Sequence, residues 1–261
     1  MLLSGATGGI GQAIAARLAD GGARLVLSSR REPELKELAR SLPGGARRHN
    51  VVVSDLAKAG AAAKLISQAG KVDGLVANAA LPASGLLDDL SPTEISRALR
   101  VNLEAPILMS RELGPALAKE GEGHIVVIAS LAGKVGSPHA SLYNATKFGL
   151  RGFAFGFRED MQPHGVGVSI VSPGFVREAG MFHDSGSKAP PGVGTTTPAK
   201  VAKAVEKAIV RDRVEITVAP RRTRFVTEVG YRHPGLAASI QRRGGADEIA
   251  RGVAEGQTDK R

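Results

Sequence analysis

The sequence predicts a three-layer α/β fold: one domain, residues 1–261, built on a doubly wound parallel sheet with helices on both faces. Three observations predict it. Short apolar runs alternate with longer amphipathic stretches, helix-start residues stand where those stretches begin, and a glycine-rich turn joins the first run to the first stretch. The runs are Leu25 to Leu27, Val51 to Val53, Leu75 to Ala77, Ile125 to Ile128, Val166 to Val171 and Val214 to Val218. Strands buried on both faces need such near-continuous aliphatic runs, and the gaps between them fit the helix of a βαβ unit.

Taken in order, Met1-Leu2-Leu3 forms a short first strand and runs into Ser4-Gly5-Ala6-Thr7-Gly8-Gly9-Ile10-Gly11, after which Gln12 to Asp20 reads as a helix. A strand this short implies either a stunted element or a natural start upstream of Met1. Ser91-Pro92-Thr93-Glu94 and Thr197-Pro198 each place a capping hydroxyl and a first-turn proline at a helix start. Arg177 to Thr197 is rich in Gly, Pro, Ser and Thr, lacks periodicity, and is longer than an ordinary connection, as a substrate lid would be. From about residue 220 the chain is arginine-rich, with Arg221, Arg222, Arg224, Arg232, Arg242 and Arg243 against Glu228 alone. Its plainest reading is a solvated surface.

Composition narrows the functional classes. Hydrophobic residues at 43% and charged residues at 23% can build a globular core. The chain has no cysteine and its six histidines lack ligand spacing, which excludes disulfides and thiolate zinc sites and leaves no metal site expected. No leader pattern and no membrane-spanning apolar run is visible, so a cytoplasmic enzyme without an integral membrane segment is expected. A net charge of +10 admits nucleic acid, an anionic membrane or an anionic cofactor, but 3% aromatics and no Trp supply few stacking platforms, and nucleic acid is set aside.

The glycine turn before a helix aims backbone N–H groups and a positive helix end at a pyrophosphate, with Gly5, Gly9 and Gly11 serving the tight turn, the close approach and the helix packing. Thr7 and Ile10 complete that cofactor-binding turn. Tyr143 and Lys147 stand at i and i+4, on one helical face, so the ammonium can lower the pKa of a phenol that titrates near 10 in water. Ser130 follows the strand Ile125 to Ile128 and would face the ligand crevice, where its hydroxyl can hold a substrate oxygen.

Together these residues resemble the short-chain dehydrogenase/reductase family, whose motifs are a TGxxxGxG turn, an NNAG segment, a catalytic Asn, a Ser and YxxxK. The match runs in order from about Met1 to Val218. The resemblance implies a Rossmann-type fold in which Tyr143 is the proton donor, Lys147 lowers its pKa and holds the nicotinamide ribose, and Ser130 orients the substrate. Asn102, which alone would mark a helix irregularity, resembles the asparagine that organises a relay water. Asp55-Leu56 resembles the adenine contact, and Asn78, in Ala77-Asn78-Ala79-Ala80, stands in the NNAG segment with both outer positions changed. Pro173-Gly174 resembles the pair before the substrate loop, but Glu178 stands where the family threonine is expected. Homodimers or homotetramers, built on helices near Asn102 to Leu117 and Tyr143 to Asp160, are also implied.

The cofactor expected is NADP(H), with NAD(H) possible. The second strand ends in Ser29 where an acid would bind a free 2′-hydroxyl, and Arg30 or Arg31 follows to meet a 2′-phosphate; Arg30 is the first candidate. The expected reaction interconverts a carbonyl (a ketone of 3-oxoacyl, steroid or simpler type) and a secondary alcohol. Two rivals are a nucleotide-binding regulator without chemistry, which a turnover assay would expose, and a protein held on anionic membrane or nucleic acid by its basic segment, which salt-sensitive sedimentation would expose.

Overall fold

The computed structural model describes residues 1–187, 194–243 and 246–258. Seven parallel strands, β1 (Leu2–Ser4), β2 (Val26–Ser29), β3 (Asn50–Val53), β4 (Gly74–Ala77), β5 (Gly123–Ile128), β6 (Val166–Pro173) and β7 (Glu215–Val218), form one sheet in the order β3-β2-β1-β4-β5-β6-β7. Every apolar run read from the sequence is a strand, shifted by one or two residues at its ends. The helices are α1 (Gly9–Asp20), α2 (Glu32–Ser41), α3 (Ala61–Ala69), α4 (Pro92–Leu99), α5 (Ala105–Glu120), α6 (Ser141–Met161), α7 (Met181–Asp184), α8 (Pro198–Val210), α9 (Arg221–Arg232), α10 (Pro234–Arg243) and α11 (Ala246–Glu255).

Alternation along the strands makes two cores. Leu2, Leu75, Ile125, Val127, Val168 and Ile170 face Leu65, Met109, Leu113 and Leu150 of α3, α5 and α6. Their neighbours Leu3, Leu27, Val76, Val126, Ile128 and Val171 face Ile14, Leu18, Leu35, Val201 and Val205 of α1, α2 and α8. A strand whose side chains are buried on both sides has no polar face to show, which explains the unbroken aliphatic runs. β1 is only three residues long but is wholly buried between β2 and β4, so its length does not weaken the centre of the sheet.

Both helix-start expectations hold. Ser91 and Glu94 form a reciprocal capping box on α4, and the Thr197 side chain accepts from the Lys200 N–H at the head of α8; each such cap contributes about 1 kcal/mol. Strand order reverses between β1 and β4, and the crevice at their carboxyl ends is where a doubly wound sheet binds ligands. No described helix is long and apolar enough to cross a membrane, and among the described residues no group of His, Cys, Asp or Glu could hold a metal.

The arginine-rich segment is a solvated surface, as its plainest reading has it, with Arg221, Arg222, Arg224, Arg232, Arg242 and Arg243 all exposed. It folds into α9, α10 and α11, which pack back on the crevice side of the sheet. Gly230 lies against Val135, the Gln241 amide donates to the Gly136 carbonyl at 2.9 Å, and His139 meets Asp247 at 3.1 Å. Beneath them, Glu215 of β7 accepts from Arg151 Nε and Nη2 at 3.1 Å each and from Ser172 Oγ at 3.0 Å, and pairs with Lys134 Nζ at 3.1 Å. Lys134, Arg151 and Glu215 keep only 10%, 15% and 15% of their side-chain exposure.

Candidate active site

At Gly5, Gly9 and Gly11 the turn leaves no room for a side chain. Gly5 has φ of +65°, and a Cβ there would stand 2.8 Å from the Ala79 Cα. A Cβ on Gly11 would collide with the Gly5 carbonyl, and one on Gly9 with the Ala179 methyl. α1 starts after Gly8, which has no side chain to cap it, so the helix presents its first N–H groups at the crevice. Asn78 staples the end of β4 to this turn: its Nδ2 donates to the Ser4 and Gly5 carbonyls at 3.2 and 3.0 Å, and its N–H to Ser4 Oγ at 3.1 Å. Ile10, at the head of α1, faces Gly180 of the loop that follows β6.

Arg31, rather than Arg30, reaches the turn. Its Nη2 donates to the Thr7 carbonyl at 3.1 Å and to Thr7 Oγ1 at 3.0 Å, while Ser29 Oγ accepts from the Arg31 N–H. Arg30 is exposed and forms no hydrogen bond or ion pair among the described residues. Glu32, the nearest acid, starts α2 and pairs with Lys36 at 2.7 Å, away from the strand end. Asp55 closes a local turn by accepting from the Ala57 N–H at 3.1 Å, and the Leu56 side chain is buried in the core beneath it.

The second cluster forms where β5 meets α6. Ser130 leads a 3-10 turn, Leu131–Gly133, and its hydroxyl accepts from the Ala132 N–H at 3.1 Å. Its side chain also faces the half-buried Tyr143 phenol. Lys147 is 2% exposed, donates from Nζ to the Ile128 carbonyl at 3.0 Å, and lies 5.6 Å from the centroid of the Tyr143 ring. Sequence reasoning thus brings Ser130, Tyr143 and Lys147 together.

It missed what fixes their spacing. Asn144, buried beside Tyr143, donates from Nδ2 to the Ala132 and Val135 carbonyls at 2.7 and 2.9 Å, which ties α6 to the turn after Ser130. Gly133 lets that turn touch the helix, since a Cβ there would come within 2.7 Å of the Lys147 carbonyl oxygen. An asparagine in the first turn of a helix, where it competes poorly with better helix formers, was the available signal.

The electrostatics also differ from the simple expectation. Burial pushes the Tyr143 phenol up to about 12, and the neighbouring Ser130 hydroxyl only partly offsets it. Burial pushes the Lys147 ammonium down to about 8. Among the chain's own groups desolvation therefore dominates, and the phenol is protonated throughout the neutral range.

Asn102 is fully buried in a π-helical turn, Arg100–Glu104, between α4 and α5. Its side chain accepts from the Leu81 N–H at 2.7 Å and donates to the Leu81 carbonyl at 2.9 Å. The helix irregularity is real, and both ends of the side-chain amide are engaged by Leu81. Pro173 ends β6, and the Gly174 N–H donates to the Val218 carbonyl at 3.0 Å. The loop beyond is pinned at its base by a bridge between Val176 and Thr196. Glu178 has φ of +75° and pairs with Arg177 at 2.9 Å. Residues 188–193, the middle of the expected lid, lie outside the described residues. Gln257, just past α11, donates to the Met181 carbonyl at 3.1 Å, so the C-terminal helices form a wall against this loop.

Comparison with known proteins agrees with this arrangement. A family model described as short chain dehydrogenase matches residues 1–190. The chain is 35% identical over 222 residues to the ketoacyl reductase HetN of Nostoc sp., covering 84% of this chain and 77% of that protein. It is 33% identical over 186 residues to dehydrogenase/reductase SDR family member 7B of Bos taurus, a match that takes 67% of this chain and 57% of the bovine one. A metagenomic short-chain oxidoreductase solved in complex with NADP superposes with a TM-score of 0.69 at 30% identity, covering 84% of this chain and 96% of that one. The chain belongs to the short-chain dehydrogenase family of oxidoreductases.

Proposed function

We propose that the protein interconverts a ketone and a secondary alcohol with NADP(H), Tyr143 moving the proton. The observation that carries this is the Tyr143 phenol beside the Ser130 hydroxyl, with the buried Lys147 ammonium 5.6 Å from its ring centroid. The nicotinamide supplies or accepts the hydride. The glycine cradle and the uncapped start of α1 fit its pyrophosphate, with Gly5, Thr7, Gly9, Ile10, Gly11 and Asn78 around that group and Asp55 and Leu56 toward the adenine. Pro173 and Gly174 border the nicotinamide end.

In reduction, Ser130 holds the carbonyl oxygen and Tyr143 donates its proton to it; a phenol near 12 is fully loaded for that step. In oxidation the alcohol proton passes to Tyr143, with Lys147 stabilising the phenolate. Asn102 acts through the backbone its side chain holds, by fixing Leu81 and the π-helical turn. Preference for NADP(H) follows from Arg31 at the turn and the absence of an acid from residues 28–31. NAD(H) remains a weaker alternative. A homodimer or homotetramer in the cytoplasm completes the proposal; sedimentation and cell fractionation test those parts.

Tyr143→Phe tests the central role. Turnover should fall about 10²-fold or more while NADPH binding, followed by fluorescence, persists. A panel led by 3-oxoacyl thioesters, the class suggested by the ketoacyl reductase relative, identifies the substrate. Full turnover by Tyr143→Phe on any competent substrate would refute the assignment.

A further inference from the structure

α9 is folded with its amphipathic faces reversed. The residues it buries are Thr223, Thr227 and Gly230, whereas Phe225 is 71% and Val226 54% exposed, and Leu236 of the following α10 is 52% exposed. The same helix carries Arg221, Arg222 and Arg224, none of which has a carboxylate partner among the described residues, whereas Arg232 pairs with Glu228 at 3.3 Å. Arg221 and Arg224 also line a cleft of about 530 Å³ running beside the helix.

Exposed large apolar side chains on a helix that also carries unpaired guanidinium groups mark a surface suited to a partner. The self-complementary alternative fails on charge, because a two-fold contact through this face would set the arginines of one copy against those of the other. Phosphate groups alone would satisfy the cations but leave Phe225, Val226 and Leu236 in water. A convex helix that offers aromatic and aliphatic side chains together with arginines matches a deformable medium with an apolar interior and an anionic surface.

We propose that α9 and the start of α10 dock the protein on an anionic lipid bilayer, with Phe225, Val226 and Leu236 entering the acyl boundary and Arg221, Arg222 and Arg224 meeting lipid phosphates. The site is separate from the phosphate turn and the Ser130–Tyr143–Lys147 cluster, so docking does not depend on the chemistry proposed there.

The test is flotation of the full chain, with NADP(H) added, on vesicles of phosphatidylcholine alone and of phosphatidylcholine mixed with phosphatidylglycerol. The chain should float with the anionic vesicles only, and raising the salt should release it. Arg221→Gln with Arg222→Gln should lower the partition about 25-fold, at about fivefold per cation. Phe225→Ser with Val226→Ser should lower it about tenfold or more, as expected for removing two inserted side chains. Both variants should melt as the wild type does, since these positions are exposed. Three results would overturn the proposal: equal behaviour on neutral and anionic vesicles, release by an oligonucleotide while the serine variant still floats as wild type, or a wild-type dimer that the serine variant abolishes.

Discussion

Replacing Glu215 by Gln removes one negative charge and leaves two cations without a counter-ion. Lys134 and Arg151 are 10% and 15% exposed and both use Glu215 as their carboxylate, at 3.1 Å. Removing one member of a buried ion pair typically costs about 3–5 kcal/mol. Residual water access and the glutamine oxygen, which still accepts from one donor, place this case near about 3 kcal/mol. For a chain of this size each kcal/mol moves Tm by about 2–4 °C, so Glu215→Gln should melt about 6–12 °C lower. Ser172→Ala is the matched control, since it removes only a neutral hydroxyl from the same carboxylate, at a cost of about 1 kcal/mol.

The pH arm has a definite sign. Burial raises the Glu215 pKa, but the Arg151 hydrogen bonds and the Lys134 cation outweigh burial and hold it below the ordinary value of 4.5. A depressed acid contributes its full stabilisation above the unfolded pKa and loses it as pH falls through the folded one. The gap between wild type and variant should therefore be constant above about pH 5 and close in more acidic solution. Scanning calorimetry across that range reads both effects. A variant within about 1 kcal/mol of wild type at neutral pH would show that water, and not Glu215, balances the two cations.

Three further outcomes are expected. Lys147→Met should abolish turnover yet raise the Tm of the cofactor-free protein, because it removes a cation that burial has pushed down to about 8; the gain should fade between about pH 8 and the ordinary lysine value, and an unchanged Tm would contradict the burial argument. Gly11→Ala forces a methyl against the Gly5 carbonyl, so it should cost about 1–3 kcal/mol and weaken NADPH binding in a fluorescence titration, whereas wild-type affinity would mean that the turn can open. Arg31→Ala should lower kcat/KM for NADPH about 10- to 150-fold and leave NADH nearly untouched, with Arg30→Ala changing either by less than about threefold; the reverse ranking would restore Arg30 as the residue that reads the 2′-phosphate.

The sheet was legible because its strands are buried on both faces, which leaves runs such as Ile125 to Ile128 with no polar interruption. The glycine turn and the Ser130–Tyr143–Lys147 cluster were legible because each residue type is forced by local geometry or by proton chemistry. Arg31 was not separable from Arg30, since a bend of one residue after β2 decides which guanidinium folds over Thr7. Nor was the direction of the Tyr143 shift: the i, i+4 spacing shows the ammonium but not the burial of both groups. The packing of α9 to α11 rests on contacts such as His139 with Asp247, across more than a hundred residues, which no local periodicity encodes. Periodicity in α9 even misleads, because its small polar residues turn inward and its phenylalanine outward.

The wall that α9 to α11 build against the crevice bears on how the protein matures during synthesis. The ribosome delivers the phosphate turn and β1 to β4 first, and every partner that pairs β1 within the sheet has then emerged. Gln241, Asp247 and Gln257, whose contacts pin Gly136, His139 and Met181, emerge only after β7 has entered the sheet. A nascent chain can thus shape its nucleotide pocket before the far side of the crevice exists. Cofactor bound at that stage would act as a folding ligand, stabilising the half already made while the remaining helices arrive.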